Sequence, residues 1–274
     1  EGIREAEVTT DYPGARIDSL VRLDSPNYLF VYADLSGAQP GEMPLCVTLG
    51  KKTKTVMYPL HKREMKGEER MGFTNADVLY MFMPDRFAQG RADNSKVKTQ
   101  YPYTINRNEP SLRHGGDIEG VRQHLDYFVD LGVTALWLTP VLENDQAETA
   151  TQSCYHGYAT TNYYQVDPRF GSNDDYRRFI DEAHGKGLKI VMDMIFNHCG
   201  DKHPWMTDTP SKDWFNSPDY GLQTSYKLTP VIDPYASQVD MAECVDGWFV
   251  ESMPDLNHRN PHLMTYLIQN SIWW

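Results

Sequence analysis

"IVMDMIFNHCG", residues 190–200, decides how the rest of the chain is read. Ile190, Val191, Met192, Met194, Ile195 and Phe196 form a nearly continuous apolar run, as in a strand covered on both faces. Asp193 interrupts the run, and Asn197 and His198 stand at its exit. An unpaired charge inside an apolar strand is costly, so Asp193 is expected to be held by a partner. A structural pairing explains it as readily as catalysis does. Polar groups gathered where a buried strand emerges nevertheless suit a site at the C-terminal rim of a parallel sheet.

Working outward, a strand–helix rhythm runs through the chain from residue 76. "DVLYMFM" (77–83), "VTALWLT" (133–139) and "LKIVMDMIF" (188–196) read as buried strands. "DIEGVRQHLDYFVDLG" (117–132) reads as an amphipathic helix with Ile118, Val121, Leu125, Phe128 and Val129 on one face and Gly132 at its end. "SNDDYRRFIDEAHGKG" (172–187) carries Ser172 or Asn173 as N-cap and acids in its first turn. "NPHLMTYLIQNSIWW" (260–274) starts with Asn260 as N-cap and Pro261 behind it. Buried strands alternating with helices imply a parallel sheet with right-handed crossovers. An open doubly wound sheet and the first part of a (β/α)8 barrel both satisfy this. No glycine-rich phosphate loop follows any strand, which weakens the nucleotide-binding version. The loops 84–116, 140–171 and 197–259 are long and follow the strand ends, where both architectures place ligands. Three strands cannot close a barrel, which needs about eight, so the chain reads as the front of a larger unit.

Residues 1–72 differ in character. "NYLFVYADLSG" (27–37) and "LCVTLG" (45–50) are short apolar runs bounded by turn residues, and "YPLHKREMKGEERMG" (58–72) is a charged linker or edge. The expected division is a β domain over 1–72 and an α/β domain over 73–274, with an insertion at about 198–258. A net charge of −12 argues against nucleic acid as partner. No stretch approaches the 18 or more apolar residues of a membrane span. The four cysteines lack zinc-type spacing, and Cys199, His198 and His203 do not make four well-spaced ligands. The cysteines do not decide the compartment. The chain starts at Glu1 without a signal segment, so any targeting segment is expected to have been removed.

The three long loops carry the chemistry. The first holds "PDRF" (84–87) and "HGGD" (114–117), the second "CYHGYATTNYYQVDPRFGS" (154–172), and the third Asn197, His198 and "MPDLN" (253–257). By residue type alone, His156 suits a hydrogen-bonded loop position as well as a ligand contact, and Tyr155 and Tyr158 suit either packing or stacking on a sugar ring.

Together these segments resemble the α-amylase superfamily, glycoside hydrolase family 13. "DMIFNH" (193–198) is similar to its third-strand motif, "YHGYATTNYYQVDPRFGS" to its second-loop signature, and "MPDLN" to the pentapeptide in the insertion after strand three. "GFTNADVLYMFMPDRFAQG" (72–90) and "HGGDIEGV" (114–121) resemble the barrel entry of the neopullulanase and cyclomaltodextrinase branch. "YLFVYADLSGAQPGEMPL" (28–45) resembles that branch's N-terminal β-sandwich. The resemblance implies an α/β chain: an N-terminal β-sandwich, then strands one to three and the inserted domain B of a (β/α)8 TIM barrel. It implies a retaining hydrolase of α-glucosidic bonds in maltodextrin, cyclodextrin or pullulan, with an α-glucan oligosaccharide as partner and no organic cofactor. It further implies that Tyr158 stacks on the sugar at the cleavage point, that His156 lies in a nearby subsite, and that His198 hydrogen-bonds the same sugar. Asp193 matches a structural aspartate beneath the site. Asn197 and Asp255 match calcium ligands of many relatives, a site often absent in this branch, and Asn94, Gly115 by its carbonyl, and Asp117 match part of a second calcium site in the branch. There Gln89, Arg91 and Ser95 stand where Asn or Asp is expected, which puts that calcium in doubt because a hard cation wants six to eight oxygens.

Such hydrolysis needs two carboxyl groups about 5 Å apart. In the family the nucleophile Asp and acid Glu follow strands four and five, so both are expected beyond Trp274 and the chain alone is expected to be inactive. A non-catalytic glucan- or partner-binding relative is the alternative. An unclosed barrel should also favour self-association. For such a glucan-degrading protein the periplasm is favoured over the cytoplasm.

Overall fold

A computed structural model describes residues 2–62, 72–98, 103–146, 151–216, 232–245 and 247–274. The expected charged linker at 58–72 and the insertion at 198–258 lie partly outside the described residues. By contacts the chain forms two compact units, Glu1–Phe73 with Thr207–Trp214, and Thr74–Met206 with Phe215–Trp274.

The first unit is antiparallel throughout. Its strands are β1 (Glu7–Thr9), β2 (Arg16–Val21), β3 (Phe30–Asp34), β4 (Gly41–Leu49) and β5 (Lys52–Leu60). They form a three-stranded sheet ordered β1-β4-β5 and a two-stranded sheet of β2 and β3. The β4–β5 hairpin turns on Gly50, whose φ of +60° is the left-handed geometry tight hairpins need. Its fully covered apolar side chains include Ala6, Val8 and Met43, while Val56, Met57 and Tyr58 stay exposed on β5. Trp214 adds a buried indole, tilted against Phe30 with ring centroids 5.9 Å apart. Asp208 accepts hydrogen bonds from Ser25 Oγ at 2.6 Å and Asn27 Nδ2 at 2.8 Å, and Lys212 N donates to Asp24 at 2.8 Å. A segment nearly two hundred residues along the chain therefore completes this β unit. The sequence held no sign of this, because the pairing is side-chain chemistry at long separation.

The second unit is built on three parallel strands, β6 (Leu79–Phe82), β7 (Ala135–Leu138) and β10 (Lys189–Met192), in the order β6-β7-β10. Phe82, Leu138 and Met192 lie level across the sheet, so all three strands end on one rim. The long second loop contains a hairpin of β8 (Leu142–Asn144) and β9 (Thr160–Val166), which alternation alone did not reveal. The helices are α1 (Pro84–Phe87), α2 (Ile118–Gln123), α3 (Leu125–Asp130), α4 (Asn173–Gly185), α5 (Gln238–Val245) and α6 (Pro261–Trp273).

Two expectations change in detail. The helix expected over 117–132 breaks at His124, whose imidazole Nδ1 bonds the Gly120 carbonyl at 2.7 Å while its own backbone N–H turns to Val121 O. Val129, expected on the buried face, is exposed after that break. The third strand stops at Met192 rather than Phe196, because its partner β7 ends at Leu138. Asp193 thus lies just beyond the strand, not inside it. The caps follow the sequence closely. Ser172 and Asp175 form a reciprocal capping box on α4, and Asn260 Oδ1 accepts from His262 N and Leu263 N on α6.

Ile118, Val121, Leu125 and Phe128 pack with Leu136, Leu138, Tyr176 and Phe179 in one core, with Tyr80 and Phe82 of β6 against it. The alternate residues of β6, Leu79 and Met81, face away and are 46% and 54% exposed. In a closed barrel this face would be interior. Here it leaves apolar side chains uncovered beside a strand with no outer neighbour among the described residues. The 274-residue chain should therefore bind a hydrophobic dye such as ANS and scatter light as oligomers, with Leu79→Ser/Met81→Ser lowering both signals. A monodisperse wild-type monomer with no dye binding would contradict this.

Candidate functional site

The rim at the strand ends encloses a cavity of about 880 Å³, lined by His156, Tyr158, residues 193–198, Phe249 and Met253. Each side chain arrives for a local reason. Asp193 is the first residue past β10, and its Oδ2 accepts Trp137 Nε1–H and Tyr158 O–H, each at 3.0 Å. One carboxylate oxygen thereby ties β7, the second loop and β10 together. The partner required for Asp193 is thus a pair of neutral donors rather than a cation. Trp137 was not singled out in the sequence, where it reads as another apolar strand residue.

His156 and Tyr158 sit on a tight turn at Gly157, where φ is +88° and a Cβ would overlap the Pro140 carbonyl oxygen. Two buried arginines hold this loop. Arg113 donates to the Cys154 carbonyl at 2.6 Å. Arg169 grips Asp167 with a two-pronged pair, Nε–Oδ1 at 2.8 Å and Nη2–Oδ2 at 2.7 Å. Asp167 Oδ2 also accepts Asn144 N at 3.2 Å and Nδ2 at 3.1 Å, so the fork pins β8 to the end of β9. His198 is fixed from the other side, because Leu256 N bonds Asn197 O at 2.9 Å and His198 pairs with Asp255 in a short antiparallel bridge.

The hydrogen bonds set the tautomers. His156 Nδ1 accepts Tyr158 N–H at 2.9 Å, so its proton is on Nε2, which is free to donate into the cavity. His198 Nε2–H donates to the Tyr158 carbonyl at 2.9 Å and its Nδ1 accepts Asn197 Nδ2 at 3.2 Å. Both ring nitrogens of His198 are thus engaged, and its ring lies nearly parallel to Phe249, at 11° and 6.3 Å between centroids. Burial pushes the His156 imidazolium down to about 4, with Arg113 and His198 adding to the effect, and burial also lowers His198. Burial, with the neighbouring Asp193 charge and hydrogen bond, raises the Tyr158 phenol to about 12. At neutral pH the cavity therefore presents two neutral imidazoles, a neutral phenol and one carboxylate. Phe249, also absent from the sequence-derived set, reaches the cavity because the chain doubles back through a Val250–Met253 bridge.

The residues expected to hold calcium do not fit a cation. Asp117 is fully buried and caps α2, and its carboxylate already receives four N–H donors: Gly90 N, Gly120 N, Arg91 N and Asn94 Nδ2, at 2.7 to 3.3 Å. Asn94 thus turns its amide N–H₂ toward Asp117. Asn197 lies beside Asp255, since Leu256 N bonds Asn197 O and His198 bridges to Asp255, and its side-chain amide is turned to His198 Nδ1 at 3.2 Å. Asn216 Nδ2 already bonds Asp255 Oδ2 at 2.6 Å. No group of three or more His, Cys, Asp or Glu able to hold a metal occurs among the described residues. No helix among them is long and apolar enough to cross a membrane.

Comparison with known proteins agrees with this geometry. The family model described as alpha amylase, catalytic domain, matches residues 81–274, and that described as cyclomaltodextrinase, N-terminal, matches residues 1–64. A cyclomaltodextrinase from Geobacillus thermopakistaniensis is 31% identical over 72% of this chain and 31% of its own length. Neopullulanase 2 from Thermoactinomyces vulgaris is 32% identical over the same shares. The solved structure of an α-amylase from Geobacillus thermoleovorans in complex with acarbose superposes with a TM-score of 0.52 at 34% identity, over 72% of this chain and 37% of that one. The chain thus spans about a third of the length of the curated relatives it matches.

Two buried histidines, His198 and His203, and the half-buried His156 make stability pH-dependent. His203 is lowered by burial to about 3, alongside His156 and His198. Unfolded imidazoles protonate near pH 6.5, so below that value the unfolded chain binds more protons than the folded one. Stability should be full above about pH 6.5 and fall by several kcal/mol toward pH 4. A Tm series from pH 7 to 4 checks this, and His156→Gln should flatten its slope. A Tm that holds constant over this range would contradict it.

Proposed function

The chain belongs to the α-amylase family, and on that premise we propose that it forms the substrate-cradling wall of an α-glucan-active glycoside hydrolase. The observation that carries the reading is the cavity itself. It combines aromatic faces, from Tyr158 and Phe249, with neutral donors and a single carboxylate. Aromatic faces suit the C–H faces of pyranose rings, and neutral donors suit hydroxyls.

In this reading Tyr158 stacks on the sugar ring, held at a fixed tilt by its bond to Asp193. His156 Nε2–H donates to a sugar hydroxyl. Asp193 Oδ1, which takes no hydrogen bond among the described residues, accepts one. His198 acts through the Tyr158 carbonyl rather than on the sugar, because both its nitrogens are in use. Retaining hydrolysis needs two carboxyl groups about 5 Å apart, whereas Asp193 is the one carboxylate lining the cavity among the described residues. In this reading the nucleophile and the acid come from segments other than the strand ends that form this wall. Cleavage of maltodextrin, cyclodextrin or pullulan belongs to the longer protein.

Two measurements test this. Reducing-sugar release from maltoheptaose, β-cyclodextrin and pullulan should be undetectable with the 274-residue chain, and clear release would put the catalytic pair within it. Calorimetric titration with maltoheptaose should show weak binding that Tyr158→Ala and Phe249→Ala each weaken by about tenfold, the worth of one stacked face at about 1.4 kcal/mol. Absence of any binding by the wild-type chain would sink the glucan reading. A longer chain that binds glucan yet cleaves none would favour a non-catalytic relative.

A further inference from the structure

We infer that arginine and amide donors, in place of a divalent cation, lock residues 88–95 against Gly115–Asp117, so that this lock does not respond to calcium. The inference stands on its own geometry and is independent of the glucan reading.

Three observations carry it. First, the anionic oxygens are used up. Asp117 is fully buried and its two oxygens take four N–H donors, three from the backbone of residues 90, 91 and 120 and one from Asn94. A cation would have to displace those donors and leave buried N–H groups unpaired, which is costly.

Second, the side chains around them are donors. Gln89 directs its amide nitrogen to Ser95 Oγ at 2.9 Å, and its amide oxygen accepts Arg107 Nη2 at 3.1 Å. Arg107 Nε also donates to the His114 carbonyl at 3.0 Å, bridging the two ends of the segment. Arg91 grips Asp93 through Nε at 3.1 Å and Nη2 at 2.6 Å and reaches Asp175, in the first turn of α4, at 3.5 Å. These guanidinium groups supply the positive charge and the cross-links that a bound metal would otherwise provide.

Third, two cations wall the space beside these groups. The cavity bounded by Asn94, Ser95 and Gly115 has room for about one water and is lined by Arg113 and Arg169 together with Asp85, whose oxygens already accept His114 N and Gly115 N. Both guanidinium groups are buried, so their field on a cation would be poorly screened.

Thermal unfolding of the wild-type chain in millimolar calcium and in excess EDTA is the direct test. The two Tm values should agree within about 1 °C, since a ligand that binds the folded state stabilises it by mass action and one that does not leaves Tm unchanged. Terbium, added alone as a luminescent calcium probe, should give no emission on tyrosine excitation. The variant Gln89→Asn/Arg91→Asp/Ser95→Asp removes one cation and adds oxygen donors. It should gain both terbium emission and a calcium-dependent rise in Tm. A wild-type Tm raised several degrees by calcium would overturn the inference. A folded triple variant that gains no calcium response would overturn the assignment of the exclusion to these residues.

Discussion

Three parallel strands in register are the constraint from which the site follows. Leu79–Phe82, Ala135–Leu138 and Lys189–Met192 pair residue for residue, so the chain must leave all three at the same level. Each exit then turns into a long segment, and the second and third segments face one another across the cavity on that rim. The geometry of the cavity is thus decided before any of its side chains is chosen. Only then does the carboxylate at the third exit matter. Asp193 collects an indole N–H from the neighbouring strand and a phenol O–H from the second loop, joining the exits of β7 and β10 into one wall.

The wall is charge-poor by construction. Burial keeps both histidines neutral, the tyrosine keeps its proton, and the arginines behind the second loop spend their charge on Asp167 and on backbone carbonyls. Such a surface binds neutral polyhydroxyl ligands through faces and directed donors rather than through net charge. Chemistry that cleaves a glycosidic bond needs ionised and protonated carboxyls in addition.

Polar cross-links take on several roles that apolar packing fills elsewhere. The Asp167–Arg169 fork ties the ends of the second-loop hairpin, the four donors on Asp117 fix the turn into α2, and Asp208 draws a late segment onto the first β unit. Each joins groups whose partners are distant in sequence or separated by a loop. A one-dimensional pattern of apolar and polar residues carries no trace of such pairings. That is why the boundary of the first unit, read from composition as 72, omitted Thr207–Trp214.

The sequence by itself determined the parallel strands, the capped helices and the motif residues at the strand ends. Those depend on local periodicity, on caps such as Ser172 and Asn260, and on short motifs such as 193–198. It placed His156, Tyr158, Asp193 and His198 at one rim. Tertiary structure alone decided what those residues touch. It ended β10 at Met192, recruited Trp137 and Phe249, engaged both nitrogens of His198 in hydrogen bonds to the protein, and filled the oxygens of Asp117 with N–H groups. The physical reason is range. Secondary structure answers to neighbours within a few residues, whereas hydrogen-bond partners and buried charge answer to whatever the fold brings within about 3 Å.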